Sequence, residues 1–266
     1  MPDPSLPEVE SWLERLYVAA EGASLRQEDR RKAKEVAAIL GEIDAMAKRV
    51  SADPLVLVDA AAGKSYVGLL AAKLLFDAAG RAARVVAIER DPRRVASSRR
   101  ALARLGTAVA VACVAGEVED AAHWPDRPSI VVALHACGQA ADAIIERVVA
   151  AEARALLLVP CCTSRGVAAA VLAEEAAERG GIPRHAPVRR RFIQAWVDAE
   201  RTWRLEAAGY ETEVVEFVGA TVTPHNLLWR SRLVREPARM AAAGRALAQL
   251  TATGAPGRAA TRPEPR

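Results

Sequence analysis

Aromatic residues are scarce in this chain: five Trp, three Tyr and three Phe among 266 residues. The core must therefore be built largely from aliphatic side chains. Alanine, which suits both core and surface, blurs the helical period. Long apolar runs are also missing. None approaches the ~18 residues of a membrane span, and residues 1–20 hold no apolar segment behind a basic start. Neither a spanning helix nor a secretory signal is expected. There are four cysteines, including the adjacent pair Cys161 and Cys162, and their spacing suggests no disulfide framework. A reduced, soluble, cytoplasmic protein is expected. No charge of one sign dominates either: 37 basic and 33 acidic residues leave a formal +4, which permits an anionic partner without requiring one.

What remains is a globular composition, 52% hydrophobic and 26% charged, long enough for one large domain with an appendage. Three segments are expected: a helical extension over 1–50, a main domain over 51–236, and a short helix with a disordered tail over 237–266. In the first, Trp12, Leu13, Leu16 and Tyr17 recur at helical spacing, as do Val36, Ile39, Ile43 and Met46. The charged residues between them read as solvated helix surface. From Leu55 the pattern becomes strand and helix in alternation. Apolar runs fall at 55–59, 84–88, 109–114, 129–134 and 154–159, with helical stretches between them. Continuous apolar strands separated by helices predict a parallel sheet covered on both faces. A helix over about 190–208 stops at Gly209, and two more strands follow, ETEVVEFV and NLLWRSRLV, separated only by a loop. The fold class expected is α/β: a seven-stranded, Rossmann-like sheet of five parallel strands and a terminal antiparallel hairpin. This resembles the build of class I methyltransferases and differs from the all-parallel dinucleotide fold. The tail from about 252, rich in Pro, Gly and Arg, predicts disorder.

The stretch LVLVDAAAGKSY, residues 55–66, opens two chemistries. Gly63-Lys64-Ser65 before a helix imitates a triphosphate-binding loop. That loop requires a glycine five residues before Gly63, where Val58 lies inside a strand. A site for S-adenosyl-L-methionine asks for less. The cofactor carries no phosphate, and small residues at a helix start allow a close backbone approach. Ala60, Ala61, Ala62 and Gly63 meet that need, with Lys64, Ser65 and Tyr66 continuing the wall. Asp59 is placed to hold the methionine ammonium. Glu89, ending the second strand beside Arg90, is placed to accept hydrogen bonds from the ribose hydroxyls, the usual task of an acid there; otherwise it is an ordinary surface acid. Gly116-Glu117, after the third strand, is placed to line the adenine edge or else lies in an exposed loop.

The fourth strand ends at His135-Ala136-Cys137-Gly138 and the fifth at Cys161-Cys162-Thr163-Ser164. Ligands of open parallel sheets sit outside the carboxyl ends of the strands. His135, Cys137, Cys161 and Cys162 are thus expected to converge near the methyl donor, with His135 and Cys137 as the candidate catalytic residues. Three readings stay open: walls of a substrate pocket with His135 as proton acceptor, a zinc site, or small thiols packed at the sheet end. Adjacent cysteines suit a tetrahedral metal poorly, and no metal is expected.

The segments VDAAAGKSYVG, ALHACGQAADAIIE, LLLVPCCTS and FVGATVTPHNLLWRSRL together resemble one methyltransferase family. It includes methyltransferase-like proteins once described as rRNA adenine dimethylase-domain proteins, and the methyltransferase domain of a glutathione-transferase-fused protein. The His-x-Cys-Gly and Cys-Cys blocks also resemble the tRNA ribose 2′-O-methyltransferase that acts on the acceptor stem. The resemblance covers about residues 33–235. It implies S-adenosyl-L-methionine binding and, more loosely, RNA as acceptor. Three positions depart from the family: Ala61 stands where glycine is usual, Thr163-Ser164 replaces Tyr or His then His, and His225 is the basic residue before Asn226.

For an RNA acceptor the relevant side chains are Arg184, Arg189, Arg190, Arg191, Arg201 and Arg204, with Trp196 and Trp203 among them, and Trp229, Arg230 and Arg232 in the hairpin. Phe192, Trp196 and Trp203 lie close to one helical stripe and are expected in the core, while Arg189, Arg190 and Arg191 are expected to be exposed for phosphate contact. No stable protein partner is expected. A small-molecule or protein methyltransferase, or a cofactor-binding or thiol-metal module without turnover, stands as the alternative.

Overall fold

A computed structural model describes residues 4–19, 22, 24–161 and 166–254. Seven strands form one sheet in the order β3-β2-β1-β4-β5-β7-β6. They are β1 (Leu55–Ala60), β2 (Ala83–Glu89), β3 (Ala110–Ala115), β4 (Ile130–Ala136), β5 (Ala155–Pro160), β6 (Tyr210–Glu216) and β7 (Leu227–Leu233). The first five are parallel; β7 runs antiparallel to β5 and to β6. This is the expected α/β sheet with its terminal hairpin. The strand order reverses between β1 and β4, the switch point where such sheets bind ligands.

Helices cover both faces: α1 (Leu6–Leu13), α2 (Gln27–Arg49), α3 (Tyr66–Leu70), α4 (Pro92–Leu105), α5 (Gln139–Ala150), α6 (Ala168–Arg179), α7 (Ala186–Ala207) and α8 (Pro237–Gly254). Helices α1 and α3 each run on through a wider π-type segment, Glu14–Val18 and Ala71–Asp77. Alternation along β1 divides the core. Leu55 and Leu57 join α1, α2 and α3 in one apolar cluster, and Val58 and Ala60 join α5 and Trp229 in another. Each fully buried Leu or Ile contributes roughly 1.5–3 kcal/mol. The N-terminal helices therefore complete the first face of the sheet: Val36, Ile39, Leu40 and Ile43 of α2 are wholly buried. Helix α8 occupies 237–254, and the tail expected to be disordered lies otherwise outside the described residues.

Several arginines expected to meet a substrate are instead consumed by the fold. Arg201 is 0% exposed, and its Nε and Nη2 bond the two oxygens of Asp142 at 3.1 and 3.0 Å. Its Nη2 also approaches the Gly138 carbonyl, so α7 is tied to the start of α5. Arg204 pairs with the same Asp142 and with Glu146 and Glu200. Arg189 is buried and pairs with Glu174 and Glu178; Arg184 pairs with Glu178. Arg230 pairs with Glu42 and Glu213, and Arg232 with Glu211. Except for Glu200, four residues before Arg204 on the same helix, the acids that neutralise them lie on other elements, which no local pattern reveals. Trp196 is in the core as expected, whereas Trp203 is exposed. It keeps nearly the same helical direction but lies two turns farther along α7, past the residues that pack against α6.

A buried, bidentate pair is costly to break because one charge is left stranded. Arg201→Ala is expected to lower unfolding stability by roughly 3–5 kcal/mol. Arg190→Ala, on the exposed turn of the same helix, is expected to change it by no more than about 0.5 kcal/mol. Urea denaturation midpoints check both.

Candidate functional site

The loop after β1 is built from alternating left-handed residues: Ala61, Gly63 and Ser65 have φ of 54°, 59° and 56°. Only glycine takes this conformation without strain. The loop is pinned throughout. The Ala62 N–H donates to the Ile88 carbonyl, the Ser65 N–H to the Ala62 carbonyl, and the Gly63 N–H to Glu89 Oε2 at 2.7 Å. The other oxygen of Glu89 accepts the N–H of Asp91 at 2.9 Å. One buried carboxylate thus joins the ends of β1 and β2. A carboxylate offers about four lone-pair positions, so two remain for further donors. That fits a ribose with its two neighbouring hydroxyls. Lys64 and Tyr66 are half-buried in the same wall, Ser65 is buried, and Arg90 is exposed beside Glu89.

Asp59 sits within β1, 2% exposed, its Oδ2 accepting the N–H of Gly68 at 2.9 Å. A Cβ at Gly68 would come within 3.0 Å of that oxygen, so the glycine is what lets α3 lie against the strand. Burial, the largest influence, lifts the Asp59 carboxyl to about 7; the Gly68 bond opposes this and the Glu89 charge adds to it. After β3, the Gly116 N–H donates to the Glu89 carbonyl. The His123 ring lies over Gly116, where a Cβ would fall 2.0 Å from Nε2. Glu117 is exposed at this edge.

At the other side of the switch point, β4 breaks register between Leu134 and Ala136, and His135 takes φ 64°. Simple alternation would carry His135 to the α5 face with Val131 and Ala133. The bulge instead brings its Nε2 within 3.0 Å of Glu35 Oε1 on α2. Glu35 is buried, and its second oxygen accepts from Lys32 Nζ at 2.8 Å. Burial pushes the Glu35 carboxyl up, but the bonds from His135 and Lys32 outweigh it and hold it below its ordinary value. Cys137 and Cys161 are joined as a disulfide across the ends of β4 and β5, with Cα atoms 5.4 Å apart. This corrects the readings of four unpaired cysteines and of Cys137 as a catalytic thiol: the parallel register places two residues 24 apart in sequence side by side, and the bonded sulfur has no thiol to offer. Cys162, Thr163 and Ser164 lie outside the described residues. Among the described residues no cluster of three His, Cys, Asp or Glu is arranged for a metal.

The expected site residues therefore fall into two groups at the carboxyl edge of the sheet. Asp59, Ala61, Gly63, Lys64, Ser65, Tyr66, Glu89, Arg90 and Glu117 surround the β1–β2–β3 ends, and His135 and Cys137 the β4 end. Sequence reading missed Tyr17, Glu35, Gly68 and His123. Tyr17 donates its hydroxyl to the Lys64 carbonyl at 2.8 Å and meets the Tyr66 ring edge-on at 4.5 Å, so the N-terminal extension props the loop. Its only signal is membership of an apolar helical stripe.

Two measurements follow from this geometry. A left-handed residue bearing a Cβ costs roughly 1–2 kcal/mol, and glycine gives back roughly 0.5–1 through the unfolded chain. Ala61→Gly is expected to raise the urea midpoint slightly, whereas Ala60→Gly within the strand lowers it. For Asp59, the folded chain keeps a proton that the unfolded chain releases near pH ~3.9. Stability therefore falls as pH rises from about 4 to about 7 and levels off above that. Asp59→Asn should remove this slope in urea titrations run across the window.

The sequence profile of a methyltransferase domain family matches residues 31–167, just over half of the chain. No curated protein sequence matches it. Among solved structures, the chain is similar to the methyltransferase PaMTH1 of Podospora anserina bound to S-adenosyl-homocysteine, at 14% identity over 88% of this chain and 89% of that one, with a TM-score of 0.49. It is also similar to an S-adenosyl-methionine-dependent methyltransferase of Aquifex aeolicus, at 14% identity over 68% and 83%, with a TM-score of 0.43. A third is an rRNA methylase of Streptococcus thermophilus, at 10% identity over 73% and 95%, again with a TM-score of 0.43. The strand order, the loop after β1 and the family match agree: this chain belongs to the methyltransferase domain family, and S-adenosyl-L-methionine is its cofactor.

Proposed function

We propose that the chain methylates structured RNA, such as tRNA or rRNA, in the cytoplasm. One observation carries this reading. Of the arginines singled out on α7 and the hairpin, only Arg190 and Arg191 lack an acid partner among the described residues, and both are exposed beside the β6–β7 loop. A cavity of about 500 Å3 that touches Thr221 and Val222 of that loop is lined by the paired Glu10 and Arg30 and by Arg31 and Lys34 of α2, which lack an acid partner among the described residues. Uncompensated cations flanking one loop at the carboxyl edge suit a phosphate backbone. The resemblance of the His-x-Cys-Gly and Cys-Cys blocks to RNA-modifying enzymes points the same way. No helix is long and apolar enough to cross a membrane among the described residues. In a cytoplasmic setting, reducing thiols compete with the Cys137–Cys161 bond.

In this reading Glu89 accepts the ribose hydroxyls, the Ala61–Tyr66 wall borders the methionine moiety, and Glu117 with Arg90 borders the adenine. Asp59 takes the ammonium as its carboxylate. The cofactor supplies an electrophilic methyl group on sulfur, so positioning and exclusion of water carry most of the rate. His135 accepts the proton when the nucleophile carries one, and Glu35 orients its ring. Glu35 is thus a positioning residue, supplied by the N-terminal extension.

Incubation with methyl-labelled cofactor and either total RNA or a metabolite extract tests the acceptor. Label in ribonuclease-sensitive material is expected, falling steeply as salt rises; label confined to small molecules or protein contradicts it. His135→Ala is expected to lower kcat by about 10²-fold or more. Glu35→Gln should lower it less, with the KM for cofactor unchanged, in the same steady-state assay.

A further inference from the structure

A second cavity, of about 540 Å3, lies at the end of β5 on the α7 side and has no part in the cofactor site. Its volume is in the range of about 300–1,000 Å3 typical of small-molecule sites. Pro160 in its wall is register-paired with Ala136, the residue after His135, so the cavity adjoins the β4 end. Three features define its chemistry. The floor is apolar: Leu227 is half-buried there, over Pro160 and the almost wholly buried Trp229, which is fixed through Nε1 to Thr202 Oγ1 at 2.9 Å. One wall is a polar stripe of α7: Arg190, Gln194 and Asp198 recur every four residues and share a helix face. Gln194 Nε2 bonds both oxygens of Asp198 at 3.0 and 3.1 Å, which fixes an amide and a carboxyl side by side. The rim carries the exposed Arg190 and Arg191, together with His225.

We propose that this cavity receives one nucleotide unit of the acceptor, its base over the Leu227 floor and against Gln194 and Asp198, and its phosphate on Arg190 and Arg191. The inference rests on the RNA reading above and names where the acceptor enters. A base brings a flat apolar face and an edge of donors and acceptors, which the floor and the stripe match in turn. Burial raises the Asp198 carboxyl above its ordinary value despite the Gln194 bonds and Arg201. The two arginines supply charge for an anion and are free to do so, because α6 acids take up Arg189 instead. An aromatic carboxylate would match the floor and the charge but leave the stripe without a complementary edge.

Calorimetric titration of the full chain with the four nucleoside 5′-monophosphates, the matching nucleosides, inorganic phosphate and benzoate tests the proposal. At least one monophosphate is expected to bind about tenfold more tightly than its nucleoside and than benzoate. The double variant Arg190→Ala with Arg191→Ala should abolish that difference while leaving the nucleoside affinity unchanged, and Asp198→Asn should change which base is preferred. Equal binding of monophosphate and nucleoside, binding of phosphate alone to the same extent, benzoate binding as tightly, or no binding at millimolar concentration overturns it. S-adenosyl-homocysteine binding and RNA labelling in the same preparations separate the outcomes. RNA labelled without monophosphate binding removes this cavity and keeps the RNA reading; monophosphate binding without RNA labelling does the reverse.

Discussion

The Glu89 carboxylate is the constraint on which the site depends. It accepts the N–H of Gly63 from the loop after β1 and the N–H of Asp91 from the turn after β2. Neighbouring parallel strands would otherwise end in two independent turns. Joined through one buried acid, they form a single surface with lone pairs still open. The loop it holds is conformationally costly, with Ala61 and Ser65 both left-handed. Such strain persists only where surrounding structure over-determines it. Here that structure is the Glu89 clamp on one side and the Tyr17 hydroxyl on the Lys64 carbonyl on the other.

The N-terminal helices are therefore part of the site rather than an ornament to it. Helix α2 completes the core under β1 and β4, and the same helix carries Glu35 to His135. Burial of its apolar stripe provides the energy that keeps a buried, twice-bonded carboxylate in place. Charge is organised with the same economy. The acids of α5, α6 and the hairpin neutralise most arginines near α7, leaving Arg190 and Arg191 free at the rim of a cavity.

Much of this was legible in the sequence. Strand and helix alternate with apolar runs of the right length, so sheet class and terminal hairpin follow from pattern. Acids at the ends of the first two strands mark Asp59 and Glu89, and Val58 excludes the triphosphate loop. The glycine usual at the position of Ala61 suits the backbone there, where φ is 54°. Other features depend on contacts between distant segments. Glu35 reads as solvated helix surface because its partner lies a hundred residues away, and Arg201 reads as an exposed cation because Asp142 sits on another helix. Gly68 disappears among small residues until the strand behind it is known, and the Cys137–Cys161 pair is created by the register of β4 on β5.

The central claim is that Glu89 both ties the two strand ends and receives the cofactor. Isothermal titration with S-adenosyl-homocysteine, comparing the natural chain with Glu89→Ala at matched folded fraction, tests it most directly. Hydrogen bonds to a charged group contribute about 1.5–3 kcal/mol each, so affinity should fall at least about tenfold. An unchanged dissociation constant in the folded variant would contradict the account.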